Sequence, residues 1–231
     1  MIISVIVPCY NEINTVEIIV SKVQKALSKL DYEIIIIDDY SIDGTRELLK
    51  NKYNSKSNIK LIYSNQNKGK GFSLRSGFDK AIGDIICIQD ADLEYDPKDL
   101  LPMIKLIEED KADVVYGSRF RGNGPVRASF FINRLANFII TLLTNIFSSL
   151  SLTDIECCYK VFRKKHIEMI KLEENRFGIE PELTIKFAKL NLRIFEIGIS
   201  YYGRTKSEGK KIGLIDGFRA IYCIFKYGIF K

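Results

Sequence analysis

The chain has 231 residues and a formal net charge of +6, with 46% apolar and 28% charged residues. These values suit one sizeable domain with its own core, and they exclude a disordered chain, a collagen and a small disulfide scaffold. The five cysteines are odd in number, include the adjacent Cys157 and Cys158, and form no CxxC pair, so they are read as reduced thiols of a cytosolic chain.

The charge is unevenly spread. Residues 1–125 hold 17 Lys+Arg against 19 Asp+Glu, whereas residues 126–231 hold 18 against 10. The basic surplus therefore belongs to the second half and points to an anionic partner there, a nucleic acid or a membrane surface. The apolar run Met1–Val7 stops at Pro8, too short for a secretory signal. The most apolar stretch, Leu135–Leu152, is diluted by Asn137, Thr141, Thr144, Asn145 and several serines, so no membrane-spanning helix is expected.

In chain order, Ile2–Val7 reads as a buried strand ending at Pro8. Asn14 or Thr15 can cap a helix to about Leu30, with Val16, Ile19, Val20, Val23 and Leu27 on one face. Glu33–Ile37 is a second strand, closed by Asp38-Asp39, followed by a helix from about Asp43 to Tyr53. Strand Lys60–Tyr63, helix Gly71–Ala81 and strand Ile85–Gln89 come next, and Pro97 sits in the first turn of a helix to about Glu109. Val114–Tyr116 is a fifth strand. Beyond it, Ser129–Ser149 is apolar or amphipathic with Arg134 inside it. Phe177–Leu190 is helical, Arg193–Tyr201 strand-like, Arg204–Lys211 a basic loop and Leu214–Phe230 a last amphipathic helix.

Continuous apolar strands alternating with helices predict an α/β fold with a mostly parallel central sheet covered on both faces. Ligands of such sheets sit beyond the carboxyl ends of the strands. Those ends are polar here: Pro8-Cys9-Tyr10-Asn11-Glu12, Asp38-Asp39, Ser64-Asn65 and Asp90-Ala91-Asp92.

The first strand is followed by PCYNEINT, with no GxGxxG, and no GxxxxGK[ST] occurs, which argues against a dinucleotide enzyme and a P-loop NTPase. The single histidine, His166, is read as a surface or capping residue, so a histidine-based metal site or triad is not expected. Asp90 and Asp92, at i and i+2 after a buried strand, can reach one hard divalent cation whose remaining ligands are diphosphate oxygens. Alone, such a pair also fits a solvated acidic turn. Asp38 and Asp39 suit ribose hydroxyls or base N–H donors, or equally a turn around Asp43-Gly44-Thr45.

Taken together, PCYNE, DDYSIDGT, NKGKGFSLRSG and DADLEYDP resemble the family 2 glycosyltransferases of the GT-A fold. The later GSRF, TDIECCYKVFR, FGIEPELT and SYYGRTKSEGKKIGLIDGFRA resemble their polyprenyl-phosphate branch, dolichyl-phosphate mannosyltransferases and glucosyl relatives. The resemblance covers nearly the whole chain and implies one glycosyltransferase domain over 1–231, with residues 1–125 as the nucleotide-sugar half and 126–231 as the acceptor and membrane-facing half.

It implies donor contacts from Pro8, Tyr10, Glu12, Asp38, Asp39, Gly69, Lys70, Asp90, Ala91 and Arg204. A Mg²⁺ or Mn²⁺ ion would be held by Asp90, Asp92 and Glu94. Arg119 and Arg134 would grip the acceptor phosphate, for which a planar guanidinium fork is suited. The resemblance thus implies Asp92, Arg119, Arg134 and Glu180 as the catalytic residues. Glu180, with Glu182 beside it, matches the wider family's acidic base motif, although a phosphate acceptor is already ionised and needs no base. Glu180 is expected to hold sugar hydroxyls or an arginine. Tyr40 stands where the family often has glycine, which crowds that turn.

The expected reaction is inverting transfer from a nucleotide sugar to polyprenyl phosphate by a cytoplasmic, peripherally membrane-associated chain. Ser129–Ser149 and Leu214–Lys231 would lie on the bilayer, with a membrane-protein partner as another route to it. Transfer to a saccharide or protein hydroxyl and a catalytically silent sugar-nucleotide-binding subunit are the alternatives. No nucleic-acid module is recognised, and the sugar, the nucleotide and the oligomeric state are not fixed by the sequence.

Overall fold

The computed structural model describes residues 1–122, 124–128, 131–205, 208–209 and 213–229. Lys210, Lys211 and Lys231, to which the sequence assigns charge, lie outside these residues.

The first half folds as the hydrophobic runs dictate. Strands β1 (Ile3–Cys9), β2 (Tyr32–Asp38), β3 (Ile59–Tyr63) and β4 (Ile85–Ile88) are parallel. Their register sets Cys9 opposite Asp38 and Ile6 opposite Ile88, so the strand ends that carry polar residues finish at one edge. Helices α1 (Val16–Ala26), α2 (Thr45–Tyr53), α3 (Lys70–Lys80) and α4 (Leu100–Glu108) connect them and lead to β5 (Val114–Ser118). The apolar face expected of α1 is buried at Val16, Ile19, Val20 and Val23. Thr15 stands at its N-cap position, but its hydroxyl bonds the Glu12 carboxylate at 2.7 Å instead of capping the helix. Pro97 opens a short 3₁₀ turn, Pro97–Asp99, ahead of α4, with Asp96 accepting from the Lys98 amide.

The second half joins the same sheet. Strand β6 (Lys160–Arg163) enters antiparallel between β4 and β5, and β7 (Ile194–Gly198) lies parallel on the far side of β5, for the order β3-β2-β1-β4-β6-β5-β7. Neither β6 nor the short helix α6 (Lys164–Glu168) stands out in the sequence, because TDIECCYKVFR has no alternation or flanking turn that marks a strand. The strand-like run Arg193–Tyr201 shortens to β7, with Tyr201 making an isolated bridge to Val126. His166 is a correction: α6 packs it inward to 6% exposure, 3.6 Å from Asp113, where burial holds its imidazole below the usual pKa.

Helices α5 (Phe131–Ser148), α7 (Ile179–Lys189) and α8 (Leu214–Ile229) pack on one another. Phe147 and Phe225 join α5 to α8 edge to face at 5.3 Å. Gly228 allows this closeness, since a Cβ there would stand 2.7 Å from the Phe147 ring. The outer faces remain apolar and exposed, with Phe131, Ile132, Phe138 and Ile146 on α5 and Ile215, Phe218 and Tyr222 on α8. Among the described residues, α5 is long and apolar enough to cross a bilayer by length and composition only, a stretch in which no spanning helix is expected from the sequence. Here it lies on α7 and α8 along one side.

Candidate functional site

The polar strand ends open into a cavity of about 340 Å³. The loop after β1 contributes Pro8, Tyr10 and Glu12 to its wall, the β2 end Asp39, and the β4 end Asp90, Ala91, Asp92 and Glu94. Gly69 and Lys70 enter at the start of α3, Arg119 after β5, Glu156 before β6, Glu180 on the first turn of α7, and Arg204 after β7. Residues from the whole length of the chain therefore meet because both parts of the sheet end there.

Of the expected donor-binding, metal-binding and catalytic residues, two do not reach this wall. Asp38 is a correction: it is fully buried, receives the Arg46 Nε at 2.5 Å and the Ser41 amide at 3.2 Å, and holds the turn after β2. Its neighbour Asp39 points the opposite way, into the cavity, and accepts the amides of Lys68 at 2.9 Å and Gly69 at 2.6 Å. Arg134 is the second. It is exposed on α5, with its guanidinium 5.3 Å from the Phe120 ring centre, while the Arg119 guanidinium lies 5.7 Å from the same centre.

The cavity is a mosaic of paired charges. Arg204 Nη2 lies 2.8 Å from Asp92 and 3.2 Å from Glu12, and its Nε lies 3.3 Å from Glu94. The Tyr201 hydroxyl donates to Glu94 at 2.9 Å. Lys70 Nζ sits 2.9 Å from Asp90 and 3.2 Å from Glu180. Burial opposes the Lys70 charge, but Asp90 and Glu180 hold its pKa well above the ordinary value. Arg119 forks onto Asp154 through Nε at 2.7 Å and Nη2 at 2.8 Å, and its Nη2 reaches Asn137 of α5 at 3.4 Å.

Glu180 faces lysines on both oxygens, and neither partner is the arginine expected. Lys160 Nζ, fully buried, lies 2.5 Å from its Oε2. The Glu182 carboxylate leaves the site and accepts the amides of Glu173 at 2.9 Å and Glu174 at 2.8 Å. Gly69 and Gly71 serve packing as well as the cavity: a Cβ would stand 2.6 Å from the Asn175 carbonyl at Gly69, where φ is +96°, and 2.3 Å from the Glu174 carbonyl at Gly71.

Asp90, Asp92 and Glu94 are hard oxygen donors of the kind Mg²⁺ and Mn²⁺ take. Among the described residues, no three such side chains converge closely enough to hold an ion, since Lys70 and Arg204 stand between them as counter-charges. The negative charge is nevertheless in excess. Burial first, then Asp90 and Glu94, push the Asp92 carboxyl up to about 7 against the pull of Arg204. The oxygens are thus of the right chemistry for a divalent cation, which would have to displace Lys70 and Arg204 from them.

Sequence reasoning missed Glu156, Tyr201, Arg176 and Phe177 as cavity residues. Glu156, Phe177 and Tyr201 lie in segments that carried the family resemblance and Arg176 immediately precedes one, but nothing in their spacing marks them as lining.

Residues 4–171 match the model of "Glycosyl transferase family 2". A dolichol-phosphate mannosyltransferase of Pyrococcus furiosus is 32% identical over 98% of this chain, which spans 64% of that protein. An undecaprenyl-phosphate mannosyltransferase of Micrococcus luteus is 25% identical, with 97% of this chain and 93% of the relative covered. Among solved structures, the glucosyl-3-phosphoglycerate synthase of Mycobacterium tuberculosis with Mn²⁺, UDP and glucosyl-3-phosphoglycerate superposes with a TM-score of 0.72 at 18% identity, covering 99% of this chain and 80% of that one. S. aureus TarS 1-349 gives a TM-score of 0.62 at 24% identity, covering 98% and 65%. These structural likenesses bear on the fold, which is the GT-A arrangement of a mostly parallel sheet flanked by helices. With more than half its length matched by the family model and its strand ends gathered around one acidic cavity, the chain belongs to glycosyl transferase family 2.

Proposed function

We propose that the chain is an inverting glycosyltransferase that moves a sugar from a nucleotide-sugar donor to a polyprenyl phosphate at the cytoplasmic face of a membrane. The names of the relatives support the acceptor class. The observation that carries the reading is the Phe120 ring shared by Arg119, which lines the cavity, and Arg134, which stands on the exposed apolar helix α5. A phosphate gripped by these two guanidinium groups would sit in the cavity mouth with its lipid chain along α5 and α8.

The nucleoside would lie over Pro8, Tyr10 and Asp39, and its diphosphate near Lys70 and Arg204. Asp90, Asp92 and Glu94 would hold the divalent cation, whose chemistry is to neutralise charge on the leaving diphosphate. The M. tuberculosis neighbour, which holds Mn²⁺ with UDP, is in line with this. Arg204, whose pKa Asp92 and Glu12 raise against the effect of burial, would exchange these carboxylate partners for diphosphate oxygens and stay charged, since a guanidinium is not deprotonated in proteins. Two anions, the acceptor phosphate and the diphosphate, must approach one anomeric carbon, and the cations of the site lower that repulsion. The acceptor phosphate attacks as the diphosphate leaves, so the C–O bond to the nucleotide breaks as the new one forms on the opposite face.

Transfer to a hydroxyl with Glu180 as base is less well supported, because both Glu180 oxygens face lysine ammonium groups. The intact Asp90, Asp92 and Arg119 argue against a silent subunit. The test is to incubate the protein with labelled GDP-mannose, UDP-glucose or a UDP-N-acetylhexosamine, Mg²⁺ or Mn²⁺, and a polyprenyl phosphate. Label in the organic phase supports the reading; no transfer from any donor rejects it.

A further inference from the structure

One carboxylate in the cavity stands apart from the rest. Glu12, Asp39, Asp90, Asp92, Glu94 and Glu180 each have an amide, hydroxyl or cation partner. Glu156 lines the same wall, half-buried, and the hydrogen bonds among the described residues include none to its carboxylate; its Oε1 is closed off from solvent with no partner. A carboxylate so placed is destabilising in the empty protein, since water's hydrogen bonds are lost and none replaces them. Burial first, and then the nearby Glu180, push its pKa up to about 7 against the pull of the Lys160 and Arg119 charges.

Its backbone is nevertheless firmly held. Lys160 Nζ, itself fully buried, donates to the carbonyl of Ile155 at 3.0 Å and to that of Cys157 at 2.6 Å, the residues on either side. The preceding Asp154 is fixed by the Arg119 fork. An unpartnered acceptor on a rigid segment is a preorganised site for a donor that arrives with a ligand.

Its place in the sheet indicates which part of a ligand it meets. Residues 154–159 lead into β6, beside β4 on the side away from β1 and β2. From β2 to β6 the cavity wall runs from Asp39 through Asp90 and Asp92 to Glu156. In the proposed pose those stations are nucleoside, diphosphate and sugar.

We propose that Glu156 reads the donor sugar, its carboxylate accepting hydrogen bonds from hydroxyls of the transferred hexose while Lys160 positions it. This role rests on the proposed glycosyltransfer reading. Hydroxyls suit the site because they donate to a carboxylate without needing a counter-charge, and a hexose offers several at fixed angles.

The test compares ligands that differ only in the sugar. The intact protein and its Glu156→Ala and Glu156→Gln variants are titrated calorimetrically with GDP, GDP-mannose, UDP and UDP-glucose in the presence of Mn²⁺. The expected result is a 10- to 100-fold loss of affinity for the accepted sugar nucleotide in Glu156→Ala, the range for one hydrogen bond to a charged acceptor. Affinity for the matching nucleoside diphosphate should stay unchanged, and Glu156→Gln, which keeps an acceptor oxygen of the same reach, should lose less. The melting temperatures of both variants should equal or exceed that of the wild type, because an unpartnered carboxylate has been removed. Sugar-nucleotide binding retained in full by Glu156→Ala, or lost equally with the nucleoside diphosphate, overturns the role of Glu156 and leaves the glycosyltransfer reading standing. A wild type that binds neither sugar nucleotide overturns both.

Discussion

Arg204 Nη2 stands 2.8 Å from Asp92 Oδ2, joining two residues 112 positions apart in the chain. The same guanidinium also touches Glu12 and Glu94, so one side chain from the loop after β7 ties the ends of β1 and β4 together. It is the main counter-charge for these carboxylates.

Removing that guanidinium should therefore make the fold dependent on added cation. Arg204→Ala is expected to melt lower than wild type in EDTA and to regain part of the loss with Mn²⁺, more than wild type gains, because ligand bound only to the native state adds stability. Turnover with the accepted donor should fall by about 100-fold or more, as for loss of a group that contacts transition-state charge. Thermal scans with and without Mn²⁺, alongside initial rates, check both.

The Lys160–Glu180 pair is buried on both sides, with exposures of 0% and 2%. Removing Glu180 strands the buried Lys160 charge, whereas removing Lys160 leaves Glu180 with Lys70, and removing both strands neither. Glu180→Gln should cost about 3 kcal/mol of unfolding free energy, and Lys160→Met less. The double variant should be more stable than the sum of the two losses implies. Urea titrations of the four proteins measure the coupling, and strict additivity would rule out a working pair.

Tyr40 adopts φ of +67°, the left-handed region, where the family's frequent glycine is at ease. Its side chain is about half exposed, and the Arg46 guanidinium lies 5.6 Å from its ring centre. Tyr40→Gly is expected to stabilise the protein by about 0.5–1 kcal/mol, relief of the steric clash exceeding the lost contact and the added chain entropy. Chemical denaturation reads this directly.

The pH dependence of stability should carry a His166 signature. Burial lowers the His166 pKa despite the opposing charge of Asp113. The unfolded chain then binds more protons than the folded one as pH drops through the unfolded value of about 6.5, so stability is lost toward acid. Asp92 and Glu156, pushed up to about 7, act in the opposite sense over the same range. The clean measurement is thus the difference between wild type and His166→Gln, which should shrink as pH falls from 7 to 5.

The exposed faces of α5 and α8 carry Phe138 at 60% and Phe218 at 73% exposure. If they meet a bilayer, each aromatic contributes about 2 kcal/mol of burial. Phe138→Glu combined with Phe218→Glu should then reduce flotation with anionic liposomes at least tenfold while leaving sugar-nucleotide binding as it was. Retained flotation would place the lipid contact elsewhere.

The sequence by itself determined the parallel core and its acidic edge. Runs such as Ile34–Ile37 and Ile85–Ile88 are buried whatever lies far away in the chain, and the polar residues that follow them must end up at the strand ends. The arginines, lysines and carboxylates of the cavity, Glu156 and Arg176 apart, were also legible as types in a family pattern. Their partners were decided only by tertiary structure. Asp38 and Asp39 are adjacent and alike, yet successive residues of a strand point to opposite sides, so one clamps Arg46 and the other lines the cavity. Strand β6 owes its place to pairing with β4 and β5, and that pairing carries Glu156 to the wall and Lys160 beneath it. The basic surplus of the second half is likewise resolved in three dimensions: Lys160 and Arg204 are paired in the cavity region, as is Arg119 of the first half, while Arg134 stands outside it on an apolar helix. Composition fixes how many charges a chain has; their distances, and therefore which of them is left unpaired for a ligand, arise only when segments remote in sequence are packed together.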